Sequence, residues 1–350
     1  MKNPLPLALL LWLVAYSAAL AQTPADTYGE NLGTVHFPAS CNDAALQHLQ
    51  RGVALLHHMT YEGAEASFAA AVEADSSCAL GYWGIGMTFI HPLWSDPPDE
   101  TKMKRAMELI KKAQDQERIT ARESAYLAAL EAYYRDGKQR DERTRLARFE
   151  KGWEKVHEQF PDDLEAKSFY ALAHLATAAP GDKTYANQQR AGALVEQVLT
   201  AVPDHPGAHH YIIHAYDYPP LAKRALKVSR NYGKIAPEVP HALHMPTHIF
   251  TRLGLWQESI EWNKRSAAAA LKHPVGGQLS GHYLHAFDYM AYAYLQTGQE
   301  HKAREVMDAI QTLDRPASPH PGSAYALAAV PAKKKKPLPF TKSSSRSAAP

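Results

Sequence analysis

From residue 45 onward the chain repeats one pattern, with small or apolar residues at positions i, i+4 and i+7 in polar surroundings. The triplets are Ala64-Phe68-Ala71, Ala106-Ile110-Ala113, Phe149-Trp153-Val156, Ala191-Val195-Val198, Ala225-Ser229-Tyr232, Ser259-Asn263-Ser266 and Ala303-Met307-Ile310. Such spacing gathers three side chains on one helix face, so each triplet predicts a helix with a buried stripe. Three triplets are followed by proline five residues after their last member, at Pro161, Pro203 and Pro237. Pro206 and Pro240 stand where the next helices open, a place where a missing backbone N–H costs least. The expected class is all-α.

From Ala191 to Ala225 to Ser259 the spacing is 34 residues each time. A 34-residue period of paired helices ending in proline resembles the tetratricopeptide repeat. The stretches "FTRLGLWQESIEW" and "YAYLQTGQEHKARE", with Gly254 and Gly298, resemble the loop between that motif's two helices. The resemblance covers residues 45–313, about seven helix pairs, with insertions near 92–104 and 178–186. It implies a right-handed α-solenoid with a concave groove, in which each pair stacks on its neighbours to bury its apolar faces. The stretches "GYWGIGM", "HPLW", "HHYIIHAYDYPP" and "PHALHMPTHIFTRLGLW" also resemble a group of exported bacterial tetratricopeptide-like proteins. That likeness implies the same fold, and export.

The ends of the chain read differently. Lys2, an apolar run from Leu5 to Val14 and the small residues through Ala21 follow the layout of a cleaved secretory signal over residues 1–21. Residues 22–44 form an N-terminal segment, and the product is expected to be periplasmic or secreted, with no membrane attachment after cleavage. Residues 314–350 are rich in Pro, Lys and Ser and predict a disordered tail. The formal charge of +2 owes six positives to the last 20 residues; without these and Lys2 the remainder carries −5. Nucleic-acid binding by the folded part is therefore not supported. The two cysteines, Cys41 and Cys78, flank the first helical hairpin, whose ends lie together. In an oxidising compartment a disulfide between them is feasible; buried free thiols are the alternative.

Histidine is concentrated in "PGAHHYIIHAYDYP" (206–219) and "PEVPHALHMPTHIF" (237–250). The repeat resemblance implies that positions 2, 5, 9 and 12 of each first helix face the groove. His210 and His244 then fall at position 5, His214 and His248 at position 9, and His241 and His285 at position 2. Asp217 falls at position 12 and Asp288 at position 5, each three residues after a histidine in "HAYDY" and "HAFDY". Imidazoles at i and i+4 suit chelation, and a neighbouring carboxylate can orient the second ring nitrogen. These residues form a candidate transition-metal site for copper, zinc or iron, with Asp217 and Asp288 behind the ligands.

Two other readings stand beside it: a peptide- or protein-binding groove without metal, and histidines that merely pack between repeats. His209, Tyr216, Trp83, His91 and His174 are further candidate groove contacts. Pro246, between His244 and His248, predicts a kink or fresh helix start there. If the helix starts at Pro246, His241 and His244 sit in the segment entering it. Neither "HYIIH" nor "HMPTH" carries the glutamate of zinc metallopeptidases, and no phosphate loop or nucleophile elbow is present. Catalysis would have to come from a metal ion in the groove.

Overall fold

The computed structural model describes residues 28–94 and 96–311. The proposed signal at 1–21 and the tail at 314–350 lie outside the described residues. The described chain is all-helical, with a single isolated bridge between Val275 and Gln278 as its β pairing.

The helices are α1 (Asp43–His57), α2 (Tyr61–Ala74), α3 (Ala79–Met87), α4 (Glu100–Gln114) and α5 (Ala121–Tyr134). There follow α6 (Glu142–Gln159), α7 (Leu164–Ala176), α8 (Ala186–Ala201), α9 (Pro206–Tyr216) and α10 (Ala222–Ile235). The last are α11 (Pro240–His244), α12 (Pro246–Arg252), α13 (Trp256–Lys272), α14 (Gly281–Gln296) and α15 (Glu300–Gln311). Among the described residues no helix is long and apolar enough to cross a membrane.

Every member of the seven triplets is buried, on α2, α4, α6, α8, α10, α13 and α15. Each of these helices packs on the one before it, as an amphipathic stripe requires. Local chemistry sets the boundaries. Asn42 caps α1 by accepting from Ala45 N–H, and Thr120 with Glu123 forms a reciprocal capping box on α5. Pro206 and Pro240 occupy first turns, as the pattern predicts. Cys41 and Cys78 are disulfide-bonded, with Cα atoms 4.8 Å apart, and join the start of α1 to the start of α3.

Two features break the neighbour-to-neighbour order. An extended segment at 28–41 lies across the array. Phe37 is fully buried between Trp83 and Tyr126, while Thr34 Oγ1 donates to Asp204 at 2.7 Å just before α9. The C-terminal end of α1 also packs on α9. There His58 is fully buried, with Nε2–H on the Leu32 carbonyl (3.0 Å) and Nδ1 on the Tyr232 hydroxyl (2.8 Å).

Burial pushes the His58 pKa down to about 3, against ~6.5 in an unfolded chain. Between those values the unfolded state holds the extra proton, so stability is full above pH ~6.5 and falls below it. Metal-free protein should lose at least ~1.4 kcal/mol per pH unit below pH ~6. Urea titrations at pH 8, 6 and 5 check this, and a flat profile would contradict it. Replacing both cysteines (Cys41→Ser/Cys78→Ser) should cost about 4 kcal/mol by loop entropy, read as a lowered Tm that reductant does not lower further.

Candidate metal centre

Seven histidines meet where α9, α11, α12 and α14 converge; six fall in two triads, and the seventh, His282, sets its ring 5.1 Å from His241. On α9, His210 and His214 are one turn apart with Nε2 atoms at 3.0 Å. His241 on α11 brings its Nε2 to 3.0 Å from His210 Nε2. His244 and His248 place their Nε2 atoms 3.1 Å apart, and the His285 ring packs on His244 with centroids at 4.3 Å. Two triads result, His210–His214–His241 and His244–His248–His285, each offering three ring nitrogens within 4.8 Å of one another. The four histidines at positions 5 and 9 of the repeat frame (His210, His214, His244, His248) are thus divided between two sets.

The break predicted at Pro246 is present, since α11 ends at His244 and α12 begins at Pro246. Met245 nonetheless keeps helical dihedrals (φ −53°, ψ −38°), so His244 and His248 stay one turn apart. His241 and His244 lie on the short α11 itself. They are buried, as is His210, while His214, His248 and His285 are half-buried. Half of the set therefore lies inside the protein, not along an open wall.

The far ring nitrogens decide where the protons sit. His210 Nδ1 is 2.6 Å from the His57 carbonyl, which only accepts, so Nδ1 carries the proton and Nε2 a lone pair. Asn263 donates its Nδ2 to the Ser259 carbonyl at 2.9 Å, which turns its Oδ1 toward His244 Nδ1 at 2.7 Å. His244 Nδ1 is again the donor. His248 Nδ1 faces Asp217 Oδ2 at 2.9 Å, and Arg252 Nε donates to Asp217 Oδ1 at 2.8 Å. Burial alone would raise the Asp217 pKa, but His248 and Arg252 bring it below the ordinary value. The carboxylate accepts, and His248 Nδ1 donates.

When both rings carry only their Nδ1 protons, His244 and His248 aim their Nε2 lone pairs at each other across 3.1 Å, with the Tyr289 hydroxyl 3.4 Å from His248 Nε2. In the first triad, His210 Nε2 has one lone pair to share between two ring nitrogens, each at 3.0 Å. His241 Nδ1 is buried with no hydrogen-bond partner. A cation, either a proton or a metal ion, would relieve each set. Burial, then the nearest imidazole, pushes the pKa of His210, His241 and His244 well below the ordinary value. His214 falls to about 3 through burial and His248. Neutral imidazole is the form that binds metal. Two nitrogens on a tetrahedral ion at Zn–N distances stand ~3.3 Å apart, close to the 3.0–3.1 Å spacing here.

A third group of similar closeness, His57–Glu165–His205, has the opposite proton balance. His205 Nδ1 accepts the Ala208 N–H (3.1 Å), so its Nε2–H donates to Glu165 at 3.1 Å. His57 Nε2 donates to the other Glu165 oxygen at 2.7 Å, and its Nδ1 accepts from the Tyr211 hydroxyl at 2.9 Å. Each of these protons has an acceptor and no lone pair faces another. The group is a buried joint between α1, α7 and α9.

The remaining predicted residues fall in several places. Asp217 orients His248 on the neighbouring segment instead of His214 on its own helix. Asp288 is buried on α14. The five expected groove contacts have partners of their own, and His91 lines a cleft with Trp94 and His282. Trp83 is fully buried among Phe37, Phe68, Tyr126 and Trp153. His209 turns its ring toward the Pro203 and Val228 carbonyls, with Nε2 2.9 Å from the former, to which the neutral ring can donate its one N–H. The Tyr216 hydroxyl donates to Glu196 and His174 pairs with Glu150. His91 pairs with Asp96 and stacks on Tyr61.

Four contributors were not anticipated. Asn263 orients His244, the His57 carbonyl orients His210, and Tyr289 places its hydroxyl 3.2 Å from His248 Nδ1. Trp94, from the insertion after α3, sets its ring against His241 at 5.8 Å. Sequence signals existed for two of them: a polar triplet, Ser259-Asn263-Ser266, in an apolar series, and a His pair closing the run "VALLHH".

Glu165→Gln should cost about 3 kcal/mol, since one N–H then loses its charged acceptor, and should leave metal content unchanged. Elemental analysis beside a melting curve checks this; metal loss without destabilisation would mark the group as a ligand set. No family model matches the chain and no curated protein is similar to it, so the chemistry of this centre rests on its geometry.

Proposed function

We propose that this chain is an exported, tetratricopeptide-like helical repeat protein whose histidine triads bind a transition metal. One observation carries the reading: the lone pairs of His244 and His248, fixed by Asn263 and Asp217, face each other at 3.1 Å. A metal ion between them removes the repulsion, and all-imidazole ligation suits copper, zinc or iron. Each nitrogen so restrained has an oxygen partner behind it, the arrangement that holds metal-binding histidines in one tautomer.

The repeat assignment is supported by the burial of every triplet and by the prolines at helix starts. Export is supported by the Cys41–Cys78 disulfide, a bond that persists in oxidising compartments. Three protein ligands leave a four-coordinate ion one open position. The cleft beside His214, lined by Gln188, Asp217, Tyr218 and Arg252, gives that position access to solvent. This arrangement favours a reactive centre over a closed structural one, and favours both over a peptide-binding groove.

The test is elemental analysis of the exported protein, purified without a histidine tag. Near-stoichiometric metal is expected, and His244→Ala/His248→Ala should lower it while the far-ultraviolet circular dichroism is kept. A chain that carries no metal and binds none on titration would sink the reading.

A further inference from the structure

We infer that the six histidines hold two metal ions side by side, one in each triad, and that both are copper in the monovalent state. The inference rests on the metal-binding reading above and adds the number and charge of the ions.

The number follows from reach. Nitrogen ligands sit ~2.0–2.1 Å from a first-row ion, so two nitrogens on one ion are at most ~4.2 Å apart. The ring nitrogens lie within 4.8 Å of one another in each triad, which small ring rotations bring within reach of one ion, and neither triad takes in a member of the other. Within the first, His210 is 3.0 Å from both partners; within the second, His244 and His248 are 3.1 Å apart. Ring centroids alone do not draw the boundary, since His248 and His285 of one triad stand 6.2 Å apart and His241 and His244 of different triads 6.4 Å; the grouping of the nitrogens does. One ion would satisfy three nitrogens and leave the other triad with its lone pairs unrelieved. Two ions satisfy both.

The charge follows from the ligands. All six would bind through imidazole nitrogens, which are neutral as ligands, without a thiolate or carboxylate among them. The carboxylate that touches the set, Asp217, is already balanced by Arg252 at 2.8 Å. Two divalent ions would bring four positive charges into a largely buried site with no anionic ligand. The cost of burying an ion grows with the square of its charge, so two monovalent ions are far less penalised. Copper is the first-row metal with a stable monovalent ion, imidazole is among its ligands, and three-coordination suits it.

The deciding experiment is an anaerobic titration of the full chain with copper(I) against a chromophoric copper(I) chelator, together with X-ray absorption at the copper edge. The expected result is two tight equivalents, each with a shell of about three nitrogens and no sulfur. His214→Gln and His285→Gln, at half-buried ligands of different triads, should each leave one tight equivalent, and the combined variant none. One equivalent that both variants abolish would overturn the pair while sparing the metal reading. Two equivalents of zinc with none of copper(I) would overturn the charge assignment. Binding of neither metal would sink the metal reading and this inference with it. Stoichiometry and spectrum of the unaltered chain decide the matter even where a variant fails to fold.

Discussion

The structure turns on His57, the last residue of α1. Its ring joins α1 to α7 through Glu165 and to α9 through Tyr211, while its backbone carbonyl takes the proton of His210. Most helix contacts here join elements near in sequence, so the contact between α1 and α9 is a long-range closure. It needs close approach. A methyl at Gly207 would stand 2.5 Å from His57 Nδ1, so only glycine lets α9 come this near. The extended segment at 28–41 reinforces the closure, with Leu32 held by His58 and Thr34 by Asp204. A joint of this kind makes the tautomer of a candidate ligand depend on a helix some 150 residues away in sequence.

Proton accounting separates three clusters that look alike by residue type. Around Glu165 the two rings have as many protons as acceptors, and the anion between them is held by two N–H donors. In the two triads the far nitrogens of His210, His244 and His248 claim the ring protons, which leaves the near nitrogens electron-rich and mutually repulsive. An unpaired buried polar group costs free energy, and a native fold retains such a conflict where something outside the chain resolves it. A proton can bridge one pair of nitrogens in each triad, whereas a metal ion accepts several lone pairs at once. Composition alone gives no means of telling these clusters apart.

Much of the helical frame was legible from spacing, because one stripe of small and apolar residues per helix is all that packing demands of those elements. The i, i+4 pairs His210–His214 and His244–His248 were legible for the same reason, being neighbours on continuous helical backbone. What spacing could not carry is which segments face one another. Asp217 lies three residues from His214 yet bonds His248, because α9 ends there and its terminal side chain turns toward α12. His209, adjacent to His210, is turned by about 100° around the helix, as neighbouring residues are, and reaches the Pro203 carbonyl instead of the triad. The reach of Trp94 to His241 depends on the course of an insertion that has no periodicity to read.

The short helix α11 shows how the two triads come to share a wall. His241 and His244 are three residues apart on it, yet one joins the triad of α9 and the other the triad of α12 and α14. Their helix must therefore be held firmly against rotation. Pro240 fixes its first turn and Pro246 begins the next helix, while α13 grips it from behind. Ser266 Oγ donates to the Pro240 carbonyl at 2.7 Å, and Asn263 bonds His244. These are members of the polar triplet, buried where the other helices bury mainly apolar side chains. A stripe that gives up hydrophobic packing for hydrogen bonds is locally costly unless those bonds are needed. Here they orient the segment that divides one histidine cluster into two.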